Sequence, residues 1–386
     1  MATSNQEIHL VEKLNQLASR LSSKDDAGAR KEALQLSKRL TASLEKPEDA
    51  VIPVTVKIAI QLDLFKHIAN YGAPISSAEL AALSGGEELL IIRVLRSVSS
   101  IGFVDEAGER LWQPNVITKA MTIDGIAAGY RMFGETIAGA ALKAPKYLRE
   151  KGYQCPTDPK DGLMQYAFQT KLSTFEYFNS IPEVIADFNA FMGNTMGARS
   201  FWIDWFPVKE RLLDGATANS TLIVDVGGGK GHDLLAFHEK HPLHGRLVLQ
   251  DLAAVTEKIK DPNPAIELMS YDFFTPQPVE GARAYFYHHI FHDWSDVKCT
   301  EILTHVRAAM KPGYSRLLIH DMIIPEQGAS TFHAMLDMAM MAFNSGMERT
   351  ERQWRELLES VGFEVLKAWL PLEEDADGII EAVLKE

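Results

Sequence analysis

Asp225, Asp251, His292, Asp321 and Glu348 are the residues of this chain whose types and spacing could do chemistry. Asp225 lies in segment 222–231, which reads LIVDVGGGKG. An apolar run around one acid, then four glycines in five positions, predicts a buried strand and a tight turn. Glycines there let a ligand approach the backbone. A phosphate-binding loop would need glycine at Val224 and a hydroxyl at Gly231. A dinucleotide fingerprint counted from Gly227 would end on His232 rather than glycine. What remains is an Asp-x-Gly-x-Gly turn suited to a nucleoside without a pyrophosphate. Asp251 ends the next predicted strand, where a carboxylate can take both hydroxyls of an unphosphorylated ribose.

Segment 284–296, AYFYHHIFHDWSD, predicts a strand running into a loop. Ligands of open α/β sheets sit at the carboxyl ends of strands, so His292 falls on the catalytic edge. A neutral imidazole there can act as a general base. Asp321 ends a later strand, and Glu348 precedes a helix; either carboxylate could hold the imidazole in one tautomer. His288, His289 and His292 are not read as a metal site. Neighbours on a strand face opposite ways, and no Cys or Glu lies beside them.

The elements that must position these groups alternate. Strands are predicted at 221–226, 246–250, 266–270, 284–290, 316–321 and 363–369, with helical patterns between them. Such βαβ alternation implies an α/β, doubly wound parallel sheet over residues 206–386. Residues 125–205 read as helical and rich in aromatics, the composition of an apolar pocket. Residues 1–124 read as mainly helical. Leu10, Leu14, Leu17 and Leu21 form a stripe, a helix is predicted over 50–66, and a capping box joins Ser76 to Glu79. A helix over 89–101 and two short strands at 102–105 and 110–112 complete a winged helix-turn-helix. Its reading helix begins with Glu87 and Glu88, which argues against DNA.

The chain has 386 residues, 46% of them hydrophobic, and a net charge of -13. That charge speaks against nucleic-acid or anionic-membrane partners. Cys155 and Cys299 are the only cysteines, and they provide neither a disulfide framework nor zinc spacing. With no signal peptide or membrane span in evidence, the expectation is cytoplasmic.

Taken together, VDVGGGKG (224–231), Asp251, YDFF (271–274), HDWSD (292–296) and ERTE (348–351) resemble S-adenosylmethionine-dependent O-methyltransferases of the plant caffeic-acid and flavonoid type and their fungal secondary-metabolite relatives. The resemblance covers roughly residues 50–386. It implies a Rossmann-like catalytic domain, S-adenosyl-L-methionine as cofactor, no metal, and a homodimer formed through the winged-helix region. It places Asp225, Gly227 and Gly229 at the methionine end, Asp251 with Leu252 at the ribose, and Asp272 and Phe273 at the adenine. Trp294 falls near the sulfonium, and His288 where the family often has lysine. His292 matches the general base, with Asp321 and Glu348 as its orienting acids; Asp321 is one methylene shorter than the usual glutamate. Phe175, Phe188, Met192 and Asn344 are expected at the acceptor, a phenolic or polyketide-like small molecule. Some fungal members keep the cofactor but catalyse dehydration or pericyclic reactions, and that alternative stands beside methylation.

Overall fold

The computed structural model describes residues 3–21, 27–44, 54–197, 201–216, 220–242, 245–371 and 376–385. Two compact units emerge, residues 1–56 and 57–386. In the first, helices Thr3–Leu21 and Ala27–Leu44 pack together. Leu10 and Leu17 of the predicted stripe are buried with Leu36, Leu14 is partly buried against them, and Leu21 stays exposed. The stripe is thus satisfied largely within its own unit.

The second unit begins with short helices. The predicted 50–66 helix is interrupted: Asp63 adopts a left-handed conformation (φ 51°) between Val54–Gln61 and Leu64–Asn70, which a short polar side chain tolerates. Residues 50–53 lie outside the described residues. Ser76 and Glu79 form the expected reciprocal cap on helix Ser77–Ser84. The wing strands, Asp105–Gly108 and Leu111–Gln113, fall slightly later than predicted, and Ile75–Ser76 adds a third strand. Residues 124–197 are largely short helices whose aromatics form one core with Ala342 and Phe343.

The largest sheet has seven strands, β1 (Thr221–Val226), β2 (Arg246–Asp251), β3 (Ile266–Ser270), β4 (Ala284–His288), β5 (Arg316–Asp321), β6 (Phe363–Trp369) and β7 (Gly378–Leu384). Their spatial order is β6-β7-β5-β4-β1-β2-β3. The sheet is mixed: β1 to β5 pair in parallel, whereas β7, which the sequence reading missed, inserts antiparallel between β5 and β6. Every residue of β1 is buried: Val224 and Val226 feed one core, Leu222 and Ile223 the other. Strand order reverses between β1 and β4, so their carboxyl ends open the crevice where such sheets bind ligands. The glycine turn follows β1, and the turn carrying His292 follows β4.

Candidate active site

At the end of β1, Gly227 and Gly229 adopt positive φ (74° and 59°). The Gly227 N–H donates to the Gln250 carbonyl (2.7 Å), tying the turn to β2. A Cβ on Gly227 would collide with Ile290. Asp251 accepts the Gly229 N–H (2.8 Å) on one oxygen and the Leu252 N–H (2.7 Å) on the other. Its carboxylate is fixed and keeps lone pairs for a further donor. Burial raises its pKa, and the two backbone donors oppose the rise.

Asp225 is fully buried, and neither carboxylate oxygen has a hydrogen-bond partner. Burial first, then the nearby Asp233 charge, pushes its pKa well up. An orphaned buried carboxyl is costly. Its natural complement is a cation beside the glycine turn. The α-ammonium of S-adenosylmethionine is such a group, so these residues fit that cofactor.

Phe273 and Phe274 stand edge-to-face with Trp294, at 5.9 Å and 4.8 Å. Ile290 and Phe273 both border Gly227, so the β1 and β4 turns meet there. Asp272 uses Oδ1 to accept the Phe274 N–H (3.0 Å) and so shapes this loop. Leu252 is exposed at the same edge.

The acids predicted beside His292 divide their roles. Glu348 Oε1 lies 2.8 Å from His292 Nδ1. A carboxylate only accepts, so Nδ1 carries hydrogen and Nε2 presents the lone pair of the neutral ring. Asp321 is buried, but both its oxygens are unpartnered. Of the two acids expected to orient the ring, only Glu348 reaches it; Asp321, one methylene shorter than glutamate, makes no hydrogen bond to His292. Burial disfavours the imidazolium, yet Glu348, then Asp293 and Asp321 outweigh it and raise the His292 pKa to about 10. Burial likewise lifts Asp321 to about 7 and Asp293 to about 6.

One segment, 344–349, grips the whole turn that carries His292. Arg349 donates to the carbonyls of Phe291 (3.1 Å) and Trp294 (2.8 Å). The Met347 N–H takes the His292 carbonyl (2.9 Å), and Asn344 Nδ2 takes that of Asp293 (3.1 Å). Four consecutive carbonyls are thereby satisfied by the segment that also supplies Glu348. Gly346 allows this approach: a Cβ there would collide with the His292 carbonyl oxygen. Arg349 itself is buried, paired with Asp296 and set over Trp354. Sequence reasoning gave Gly346 and Arg349 no role: Gly346 forms no local motif, and Arg349 lies inside the ERTE run but its partners are distant backbone carbonyls.

Phe175 and Phe188 pack edge-to-face, and both meet Phe343, the neighbour of Asn344. Asn344 Oδ1 is buried without a partner, available to a hydroxyl or N–H of an acceptor. Met192 is half-buried one helical turn beyond Phe188.

His288, expected beside the cofactor, is half-buried and engaged with its neighbours. Its Nδ1 is 2.8 Å from Asp233, and its ring stacks on His320 at 4.0 Å and 27°. Burial opposes its charge, but Asp233 and Asp377 raise its pKa to about 10. Asp233, His288 and His320 offer donor atoms within 4.8 Å of one another, as do His288, His289 and Asp377. The His288–Asp233 distance is that of a hydrogen bond. A metal must lie in each ring plane, about 2 Å from nitrogen. Planes this nearly parallel meet well beyond that reach, so His288 and His320 as placed cannot share an ion.

A family model described as an O-methyltransferase domain matches residues 162–364. The O-methyltransferase penC of Penicillium thymicola is 48% identical over 397 residues, covering 99% of this chain and 100% of the relative. The solved structure of LepI in complex with SAM superposes with a TM-score of 0.85 at 30% identity, covering 98% of this chain and 100% of that one. A structure described as a pericyclic reaction enzyme matches equally, with the same score, identity and coverage. No described helix is long and apolar enough to cross a membrane.

Proposed function

We propose, from the premise that this chain belongs to the O-methyltransferase domain family, that it methylates a hydroxyl of a phenolic or polyketide-like secondary metabolite with His292 as general base. It is an S-adenosylmethionine-dependent O-methyltransferase of fungal secondary-metabolite type. The observation that carries the assignment of the base is the His292–Glu348 pair, set beside the glycine turn where strand order reverses.

When bound, S-adenosylmethionine supplies an electrophilic methyl on a sulfonium. Asp225 would hold its ammonium, Asp251 and Leu252 its ribose, Asp272 and Phe273 its adenine, and Trp294 would face the cation. Phe175, Phe188 and Met192 would wall the acceptor, and Asn344 Oδ1 would receive a donor from it. Holding the reacting groups in line supplies most of the acceleration. His292 Nε2 takes the hydroxyl proton as oxygen attacks, while Glu348 keeps Nδ1–H in place. Such a base contributes about 10²- to 10⁴-fold.

We further propose residues 1–124 as a dimerisation region, 125–205 as the acceptor region and 206–386 as the catalytic domain, working in a homodimer. Exposed Phe332, Met335 and Met338, a stripe on helix Thr331–Asn344, support a partner-covered face.

Mass spectrometry with methyl-deuterated cofactor and a panel of phenolic and polyketide acceptors tests the reading. The expected product is heavier by one labelled methyl, with one S-adenosylhomocysteine formed per product. The likeness to a pericyclic reaction enzyme favours a second reading, in which an unlabelled rearranged or dehydrated product forms and the cofactor is not consumed.

A further inference from the structure

His289 is the one titratable residue of the 288–292 run that neither the sheet nor the proposed chemistry accounts for. It has a left-handed backbone (φ 53°), which an imidazole-bearing residue adopts only at a cost. Three contacts hold it there. Its N–H donates to the His320 carbonyl (3.1 Å). Its Nε2 lies 3.0 Å from the buried Asp377 carboxylate. Its ring lies nearly parallel to the His292 ring, at 5.2 Å and 25°. Asp377 in turn precedes Gly378, which pairs with Asp321 in the β5–β7 ladder.

We propose that His289 and Asp377 form a positioning pair for His292: Asp377 anchors the His289 ring, and that ring fixes the plane of the base. The inference rests on His292 being the base. A single hydrogen bond from Nδ1 to Glu348 fixes one edge of the imidazole but leaves the ring free to swing about that bond. Swinging carries Nε2 off its line to the acceptor. A flat neighbour against one face removes this freedom. Asp377 can only accept, so Nε2 of His289 bears hydrogen. Burial lowers the His289 pKa, opposed by Asp377 and reinforced by the His288 charge. That shift favours the uncharged form of the ring facing His292, which does not repel the imidazolium. The charged groups facing His292 are Glu348, Asp293 and Asp321; those facing His289 are Asp377 and His288.

The test uses the full chain with three variants. His289→Asn tolerates the left-handed backbone but removes the ring. His289→Phe restores a flat ring without the anchor. Asp377→Asn keeps the shape and removes the charge. For His289→Asn, kcat should fall about 10- to 100-fold, the scale of a small misplacement of a reacting group. The acceptor KM and the S-adenosylhomocysteine affinity should stay within about twofold, since proximity of the bound groups is unaltered. His289→Phe should recover part of kcat. Asp377→Asn should lower kcat and move the alkaline midpoint of the pH profile downward, because a negative charge is lost. Wild-type kcat and midpoint in folded His289→Asn and Asp377→Asn would overturn the proposal. So would equal loss of kcat and cofactor affinity with no rescue by Phe, the mark of a purely structural role. His292→Ala separates the two levels: full activity there refutes the base itself. An inactive His292→Ala beside an unaffected His289→Asn refutes only the positioning pair.

Discussion

Replacing Glu348 by Gln separates the two things this carboxylate does for His292, which are to hold Nδ1–H and to hold a proton on the ring. The wild-type imidazole has its pKa raised to about 10 by Glu348, Asp293 and Asp321 against the opposing effect of burial. At pH 7 only roughly one ring in a thousand is then neutral in the free enzyme. Base-dependent kcat/KM should accordingly climb about tenfold per pH unit from neutrality toward pH 10. A unit charge 4 Å away at an effective dielectric of 20 is worth about 4 kcal/mol, or about three pH units. Glu348→Gln should therefore move the midpoint down by about two to three pH units, so that the profile levels off near pH 8. The plateau itself should be lower, because a weaker base transfers protons less well and the amide can also donate to Nδ1 and reverse the tautomer. The sign for stability follows from the same shift. A histidine whose pKa rises on folding stabilises the protein below its unfolded value near 6.5, and that contribution is lost as pH rises toward 10. Initial rates from pH 6 to 10.5, read as labelled product, measure both profiles. A titrating acceptor hydroxyl would give the same limb in both proteins, so the difference isolates the enzyme. Superimposable midpoints would refute the assignment of Glu348 as the main charge on the base.

His292→Ala should bind S-adenosylhomocysteine normally and lose about 10²- to 10⁴-fold in turnover; unchanged turnover of a true substrate would remove the base from the mechanism. Asp225→Asn should act in opposite directions on two readouts. Loss of an unpartnered buried carboxyl should leave melting temperature unchanged or higher, while cofactor affinity by calorimetry should fall. A lower melting temperature with intact affinity would contradict the cation-receiving role. Asp251→Ala strips the acceptor from two backbone donors and should weaken cofactor binding by about 1.5–3 kcal/mol, again by calorimetry. Gly346→Ala should push the 344–349 segment off the His292 carbonyl and lower kcat with cofactor affinity preserved. A wild-type kcat in that variant would show that the turn does not need this grip.

Much of the fold is legible in the sequence where its signals are local. The apolar run before Asp225, the glycine turn, the acid closing β2 and the Ser76–Glu79 cap are each set by neighbours within a few residues. The segment 284–296 likewise places His292 just past β4. Tertiary structure decided what depends on distant partners. Asp321 and Glu348 were equal candidates as written; only the fold puts Glu348 within 2.8 Å and leaves Asp321 without a hydrogen bond. β7 was illegible because Glu381 lies at its middle and reads as a solvent-facing acid. It is fully buried, and Arg211, Arg316 and Trp369 share its oxygens. A buried carboxylate is tolerable only with such partners, and they arrive from 12 to 170 residues away. The grip of 344–349 on four carbonyls has the same character, since backbone groups carry no side-chain signature. Residue types and spacing specify which groups can react, whereas hydrogen-bond partners and burial, set by long-range packing, specify which of them are made ready to.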